Sequence, residues 1–199
     1  MRLLFFGLFL ISINSFGQQD FWTVEHNDKD EYGYRDKKGE LRIPFGKYSI
    51  CYTDTFRTFA IVTHRQLGFV GIDRDEKVLF QIYPFDNGPD YQQDGLFRIV
   101  KGDKIGFADN LGQVIIQPRF MAVMPFSDNL AAYCDNCSKK KDGEHFTWTG
   151  GKWGFINKKG ETIIKPTFDN VLEWFKDGKA KVTLDKKEFW IDNQGKKIP

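Results

Sequence analysis

Residues 151–182 read GKWGFINKKGETIIKPTFDNVLEWFKDGKAKV, and the pattern inside this stretch returns along most of the chain. Lys152 to Asn157 alternates apolar and polar residues and runs into Lys158, Lys159 and Gly160; Glu161 to Lys165 alternates again and stops at Pro166. Two alternating runs joined by a Gly-containing turn predict a β-hairpin, with Gly160 at the position that needs positive φ. After TFDNVLEWF comes a second turn signal, Lys176, Asp177 and Gly178. KAKVTL follows, with Ala180, Val182 and Leu184 on one face and Lys179, Lys181 and Thr183 on the other, which predicts a third strand.

Aligning on the small residue before the aromatic puts Gly33, Gly68, Gly106 and Gly154 in register, at a period of roughly 35 residues. The copies span about 30–63, 65–100, 102–133 and 150–184, with a partial copy over 186–199 in which Phe189 takes the Gly position. A loop, 134–149, is inserted before the last full copy. In the second copy Glu76 stands where the turn Gly belongs, and the residues around Val70 and Gly71 read as extra. The aromatic after each Gly (Tyr34, Phe69, Phe107, Phe155) is expected to form an internal ladder between copies. No segment has helical periodicity over the length of an ordinary helix; only short helical turns near Asn170 to Phe175 fit the pattern.

The fold class is therefore all-β: about four full three-strand repeats plus a partial one, as a stacked array or a closed propeller-like or barrel-like arrangement. Asp20 to His26 is a strand without a hairpin, and the C-terminal copy is a hairpin without a third strand. Closure would take the form of these two ends completing one unit.

At 199 residues, 41% hydrophobic and 16% aromatic, the chain suits one domain over 18–199 with a sizeable core. A net charge of +2 gives no broad basic field, so nucleic acid is not an expected partner. Arg2 followed by the apolar run Leu3 to Ile13 and the small residues Ser15 and Gly17 reads as a signal peptide, residues 1–17, cleaved near Gly17/Gln18. That predicts export to the periplasm or the exterior, with no membrane span.

The string KWGFINKKGETIIKPTFD resembles the WG repeat family, through Trp153 and Gly154 and again, without the Trp, at Lys104 to Phe120 and Tyr32 to Pro44. DNGPDYQQDGLFRIVKGDKIGFAD and KDGEHFTW look like segments of secreted members from Bacteroidetes-type bacteria. The resemblance implies repeated hairpins with a binding or scaffolding role, and it brings no catalytic residues.

Two segments carry candidate sites. The 134–149 loop gathers Cys134, Cys137, Glu144 and His145, a donor set suited to zinc. Cys134 and Cys137 equally suit a disulfide, and the whole segment equally suits plain loop packing. Trp148, in the same loop, is a candidate binding-surface residue. In DNGPDYQQDG, Asp86, Asp90 and Asp94 offer hard oxygens of the kind calcium takes, although the same residues are turn formers. Trp153, Trp174 and Trp190 are the remaining aromatics offered for a stacking surface. No cofactor is expected, zinc or calcium being the only ones these residues would suit. The expected function is a non-enzymatic module that binds a protein or an envelope glycan. The alternative is a metal-dependent or hydrolytic enzyme seated at the 134–150 insertion.

Overall fold

A computed structural model describes residues 20–143 and 145–199, apart from the side chains of Asp142 and His145; residues 1–17, read as a signal peptide, and Glu144 lie outside the described residues. Every regular element described is a strand. The first sheet has the order β3-β2-β1-β4, from β1 (Trp22–His26), β2 (Tyr32–Asp36), β3 (Leu41–Ile43) and β4 (Thr55–Phe56). Next come β5 (Ala60–His64), β6 (Gly68–Ile72) and β7 (Val78–Ile82), and then a separate two-stranded ladder of β8 (Pro84–Phe85) and β9 (Gly88–Pro89). β10 (Leu96–Lys101), β11 (Lys104–Asp109) and β12 (Val114–Phe120) join the preceding three strands through a β7–β10 pairing, which makes one six-stranded sheet.

β13 (Ala122–Val123) and β14 (Leu130–Asp135) lead into a second isolated hairpin, β15 (Ser138–Asp142) with β16 (His145–Thr149). The chain then returns as β17 (Lys152–Asn157) and β18 (Thr162–Phe168) to complete the sheet β13-β14-β17-β18. The last sheet runs β19 (Asn170–Lys176), β20 (Lys179–Leu184), β21 (Lys187–Asp192) and β22 (Lys197–Ile198). Asn170 to Phe175 is thus strand rather than helical turns. Val171 and Glu173 pair with Val182 and Lys181, and that cross-strand pairing overrides any local helical tendency.

The third strand of the second, third and fourth sequence copies (β10, β14 and β20) is an internal strand of its sheet and pairs with the first strand of the next copy, and the first copy's β5 pairs with β6 at a sheet edge. β14 pairs along its whole length with β17, from Leu130↔Asn157 to Asp135↔Lys152. In the same way β10 pairs with β11 and β20 with β21.

One turn recurs in five of the hairpins. The side-chain oxygen of Asp36, Asp73, Asp109, Asn157 or Asp192 accepts the N–H groups two and four residues ahead. The residue three ahead donates its N–H to the same residue's carbonyl. That residue is left-handed, with φ near 80° at Gly39, Gly112, Gly160 and Gly195, and 60° at Glu76. Glu76 does fill the turn-Gly position. Lys47 at 2.7 Å and the Tyr48 hydroxyl at 3.2 Å hold its carboxylate.

Counting back three residues from each turn Asp or Asn gives Gly33, Val70, Gly106, Gly154 and Phe189 as equivalents. The alignment on Gly68 is therefore two residues out, and Val70 and Gly71 are regular strand residues rather than extra ones. Gly68 lies at the β5–β6 turn, opposite His64.

The conserved geometry around Gly154 has a steric cause. β17 and β18 pair at Trp153↔Phe168 and next at Phe155↔Ile164, so Lys165, Pro166 and Thr167 bulge over Gly154 alone. A Cβ on Gly154 would sit 2.7 Å from the Pro166 nitrogen and 2.8 Å from the Lys165 carbonyl carbon, and closer still to the Ile164 oxygen. Gly106 lies under Gln117, Pro118 and Arg119 in the same way. In the second copy Val70 pairs directly with Gln81, without a bulge, and Ile82 replaces the proline. The third and fourth copies thus pair the Gly with a bulged proline and the second has neither, whereas in the first copy Gly33 lies under the Ile43 carbonyl and the Phe45 ring instead.

Successive sheets share their cores. Phe107 packs with Phe126, Ala131 and Ile156, while Phe155 packs with Phe175, Ala180 and Val182. Ring pairs Tyr34–Phe56, Phe107–Phe126 and Phe155–Phe175 meet edge to face at 5.2, 4.6 and 4.8 Å. Each such buried ring contributes about 1.5–3 kcal/mol. Phe69 is not part of this ladder. Its slot in the second copy is Gly71, and Phe59 and Phe80 crowd over that residue.

The array is open. β1 pairs with β2 and β4, whereas β21 and β22 belong to the last sheet, so among the described residues the two ends complete different sheets; of the two arrangements, the stacked array is the one formed. Both terminal sheets turn a polar face outward. Arg35 bonds Glu25 at 2.8 Å on the first, and Lys181 bonds Glu188 at 2.8 Å on the last, behind the buried Ala180 and Val182. Polar outer faces of this kind cap a stacked array.

Candidate functional site

The two isolated ladders, β8–β9 and β15–β16, flank one cleft of about 700 Å³. Tyr83, Phe85 and Asp86 come from the first, Lys139, Phe146 and Trp148 from the second. Val100, Ile105 and the β10–β11 turn at Gly102 and Asp103 form the floor, and Met121 completes it.

Each wall is held by a buried device. On the β8–β9 side, Arg98 reaches from β10 and makes a bidentate pair with Asp90, Nη2 to Oδ1 at 2.5 Å and Nε to Oδ2 at 3.0 Å; Asp90 also accepts the Arg98 N–H at 2.8 Å. Both side chains are within 5% of full burial. The Arg98 guanidinium lies 4.2 Å from the Tyr83 ring and 5.8 Å from that of Phe85, which fixes these rings at the cleft edge.

On the other side the inserted segment is a hairpin rather than a loop, in register from Ser138↔Thr149 to Asp142↔His145. The Cys134–Cys137 disulfide closes its base. Gly151 packs against the backbone of Asn136 and Cys137, and a side chain there would strike it. Both cysteines are buried in the core cluster against which Trp148 packs.

The candidate residues thus have distinct placements. Trp148 and Asp86 line the same cleft although 62 positions separate 86 from 148 in the chain. Asp90 lies behind the wall with its carboxylate engaged by Arg98. Asp94 accepts the Asn129 N–H of the next sheet's turn at 2.7 Å, and Asp128 repeats this with the Gly178 N–H at 2.9 Å. The three aspartates therefore hold a cleft edge, a buried pair and an inter-sheet cap, and they do not converge as calcium ligands would.

Cys134 and Cys137, joined to each other, present no thiolate to a metal. The His145 side chain and Glu144 lie outside the described residues. Among the described residues, no three His, Cys, Asp or Glu side chains gather as a metal set. The His26 ring meets that of Tyr32 at 4.2 Å with the planes tilted by 53°, and His64 Nδ1 accepts the Gln66 and Leu67 N–H groups. The four candidate tryptophans do not gather in one place: Trp148 lines the cleft, Trp153 is core, Trp174 is exposed on β19, and Trp190 lies under Lys179 on β21.

Sequence reasoning did not single out Phe85, Phe146, Tyr83 or Asp103. Nothing in the sequence separates Phe85 and Phe146 from the core phenylalanines, and their exposure, 44% and 55%, emerges only with the fold. A smaller cleft of about 470 Å³, with Phe59, Gln92 and Phe97 in its lining, lies where the second copy lacks the ladder rings.

The family model of the WG containing repeat matches residues 105–136 and 153–187, the two copies whose hairpins carry the Gly and bulged Pro pair. Comparison with curated proteins finds no match. No helix among the described residues is long and apolar enough to cross a membrane.

Proposed function

We propose that this protein is an exported, non-enzymatic binding module for a protein or glycan of the bacterial envelope. Its binding face is the cleft between β8–β9 and β15–β16. The observation that carries this reading is that both ladders standing outside the stacked sheets border the same cleft, and each brings exposed aromatic rings to it. Regular repeats supply a rigid frame, and irregular insertions on such a frame are where binding groups concentrate.

The WG containing repeat matches support the repeat-module part of the reading. The disulfide supports export, because such bonds persist in oxidising compartments. Fractionation of the producing cell should find the chain in the periplasm or medium with Gln18 near its N-terminus; a cytoplasmic, uncleaved chain would refute the export. For the binding face, wild-type protein and a Phe85→Ala/Phe146→Ala variant are incubated with washed envelope and sedimented. The expected result is retention of the wild type and release of the variant. Equal retention of both would remove the cleft from the function.

A further inference from the structure

We infer that the cleft takes a neutral saccharide segment, with sugar C–H faces on its rings and hydroxyls on its rim. This rests on the cleft being the binding face, as proposed above. The rings come first. Tyr83, Phe85, Phe146 and Trp148 arise from two separate ladders and line a single concavity. An aromatic face is electron-rich and attracts either a cation or the weakly positive C–H edges of a pyranose.

A cationic ligand is disfavoured because the chain already supplies the cations. Arg98 sits on Tyr83 and approaches Phe85, and the Lys139 ammonium stands 4.2 Å over the Phe146 ring. The Asp90 carboxylate that might have welcomed a basic side chain is consumed by Arg98.

The rim is close to charge-balanced. Asp86 and Asp103 bring acceptors, Lys139 brings donors, and the Lys104 ammonium lies 2.8 Å from the sulfur of Met121 in the lining. Acceptors and donors set around ring faces match a polyhydroxylated ligand without net charge. An anion would meet Asp86 and Asp103, and an aliphatic ligand would leave the rim groups without partners.

The test is calorimetric titration of the exported chain, disulfide intact, with cellotetraose, chitotetraose and maltotetraose, and separately with the cationic aromatic peptide Lys-Trp-Lys-Trp. At least one tetrasaccharide is expected to bind at one site. Phe85→Ala and Phe146→Ala should each weaken it about tenfold. Both rings are substantially exposed, so their truncation leaves the core in place, and Trp174→Ala, outside the cleft, should bind as wild type. Absence of binding by all three sugars, or sugar binding indifferent to both Phe variants, overturns the inference. Peptide binding that is lost in the Phe variants, without sugar binding, overturns the saccharide assignment while leaving the cleft as the binding face.

Discussion

Replacing Gly154 by alanine adds one methyl group in a place where backbone, not side chain, is in the way. The added carbon would lie 2.7 Å from the Pro166 nitrogen and 2.8 Å from the Lys165 carbonyl carbon, against the 3.4 Å or more of an ordinary contact. Relief requires the bulge to move, and with it the Trp153↔Phe168 and Phe155↔Ile164 pairings on either side. Overpacking of this sort costs about 3 kcal/mol or somewhat more when flexible side chains cannot absorb it.

For a chain of this size that corresponds to a melting temperature lower by ~6–12 °C. Gly178→Ala is the matched control. It is left-handed, with φ +76° and nothing within 4 Å of the added carbon, so only local backbone strain of about 1 kcal/mol applies. Thermal unfolding followed by circular dichroism should therefore rank Gly154→Ala well below Gly178→Ala. A third variant, Gly154→Val with Pro166→Ile, copies the Val70 and Ile82 solution of the second repeat and should recover part of the loss as a favourable coupling. If Gly154→Ala melts within about 2 °C of wild type, or above Gly178→Ala, the steric account of the Gly and Pro pair is wrong.

Asp90→Ala strands the buried Arg98 charge and should cost about 3–5 kcal/mol in urea unfolding, whereas Asp90→Leu combined with Arg98→Met should cost much less; equal losses would contradict a paired, desolvated site. Burial pushes the Cys51 thiol up to about 11 from 9.0, and burial likewise raises Tyr34 and Tyr48. Between pH 9 and 11 the unfolded chain loses the Cys51 proton that the native chain still holds, so the urea midpoint should fall as pH rises through that window. Cys51→Ala should flatten the first part of that fall, and a midpoint constant to pH 11 would refute the assignment. Thiol titration should find no reactive cysteine in native protein, one after denaturation and three after denaturation with reduction; a second thiol before reduction would contradict the Cys134–Cys137 bond.

Much of the architecture was legible because its signals are local. Alternation, Asx turns and turn glycines lie within a few residues of one another, and even the Glu76 substitution could be located from its neighbours. The face division of Lys179 to Leu184 followed from period alone. The register of the second copy is not set by spelling, although QLGFV matches KWGFI. Distance to the turn Asp73, not the Gly–Phe pair, sets the equivalence, and the bulge that makes Gly154 obligatory is visible only once the partner strand is placed. Trp148 and Asp86 were singled out on separate grounds, one aromatic and one acidic. Their meeting in one cleft depends on how the second and third copies and the inserted hairpin pack, which no local pattern encodes. The insertion reads as a loop because Lys139 to Lys141 hides the alternation that Phe146 and Trp148 retain on the opposite strand.

The outward-facing ion pairs at the two ends of the stack bear on how such a chain can lengthen. A new copy appended beyond Lys181 and Glu188, or before Glu25 and Arg35, would have to lay its greasy side against salt-bridged lysine, arginine and glutamate. One duplicated between existing sheets would meet the aliphatic and aromatic surfaces it expects. Growth by internal duplication is therefore the favoured route, and engineered variants with extra copies should be spliced at the middle of the gene rather than at its margins.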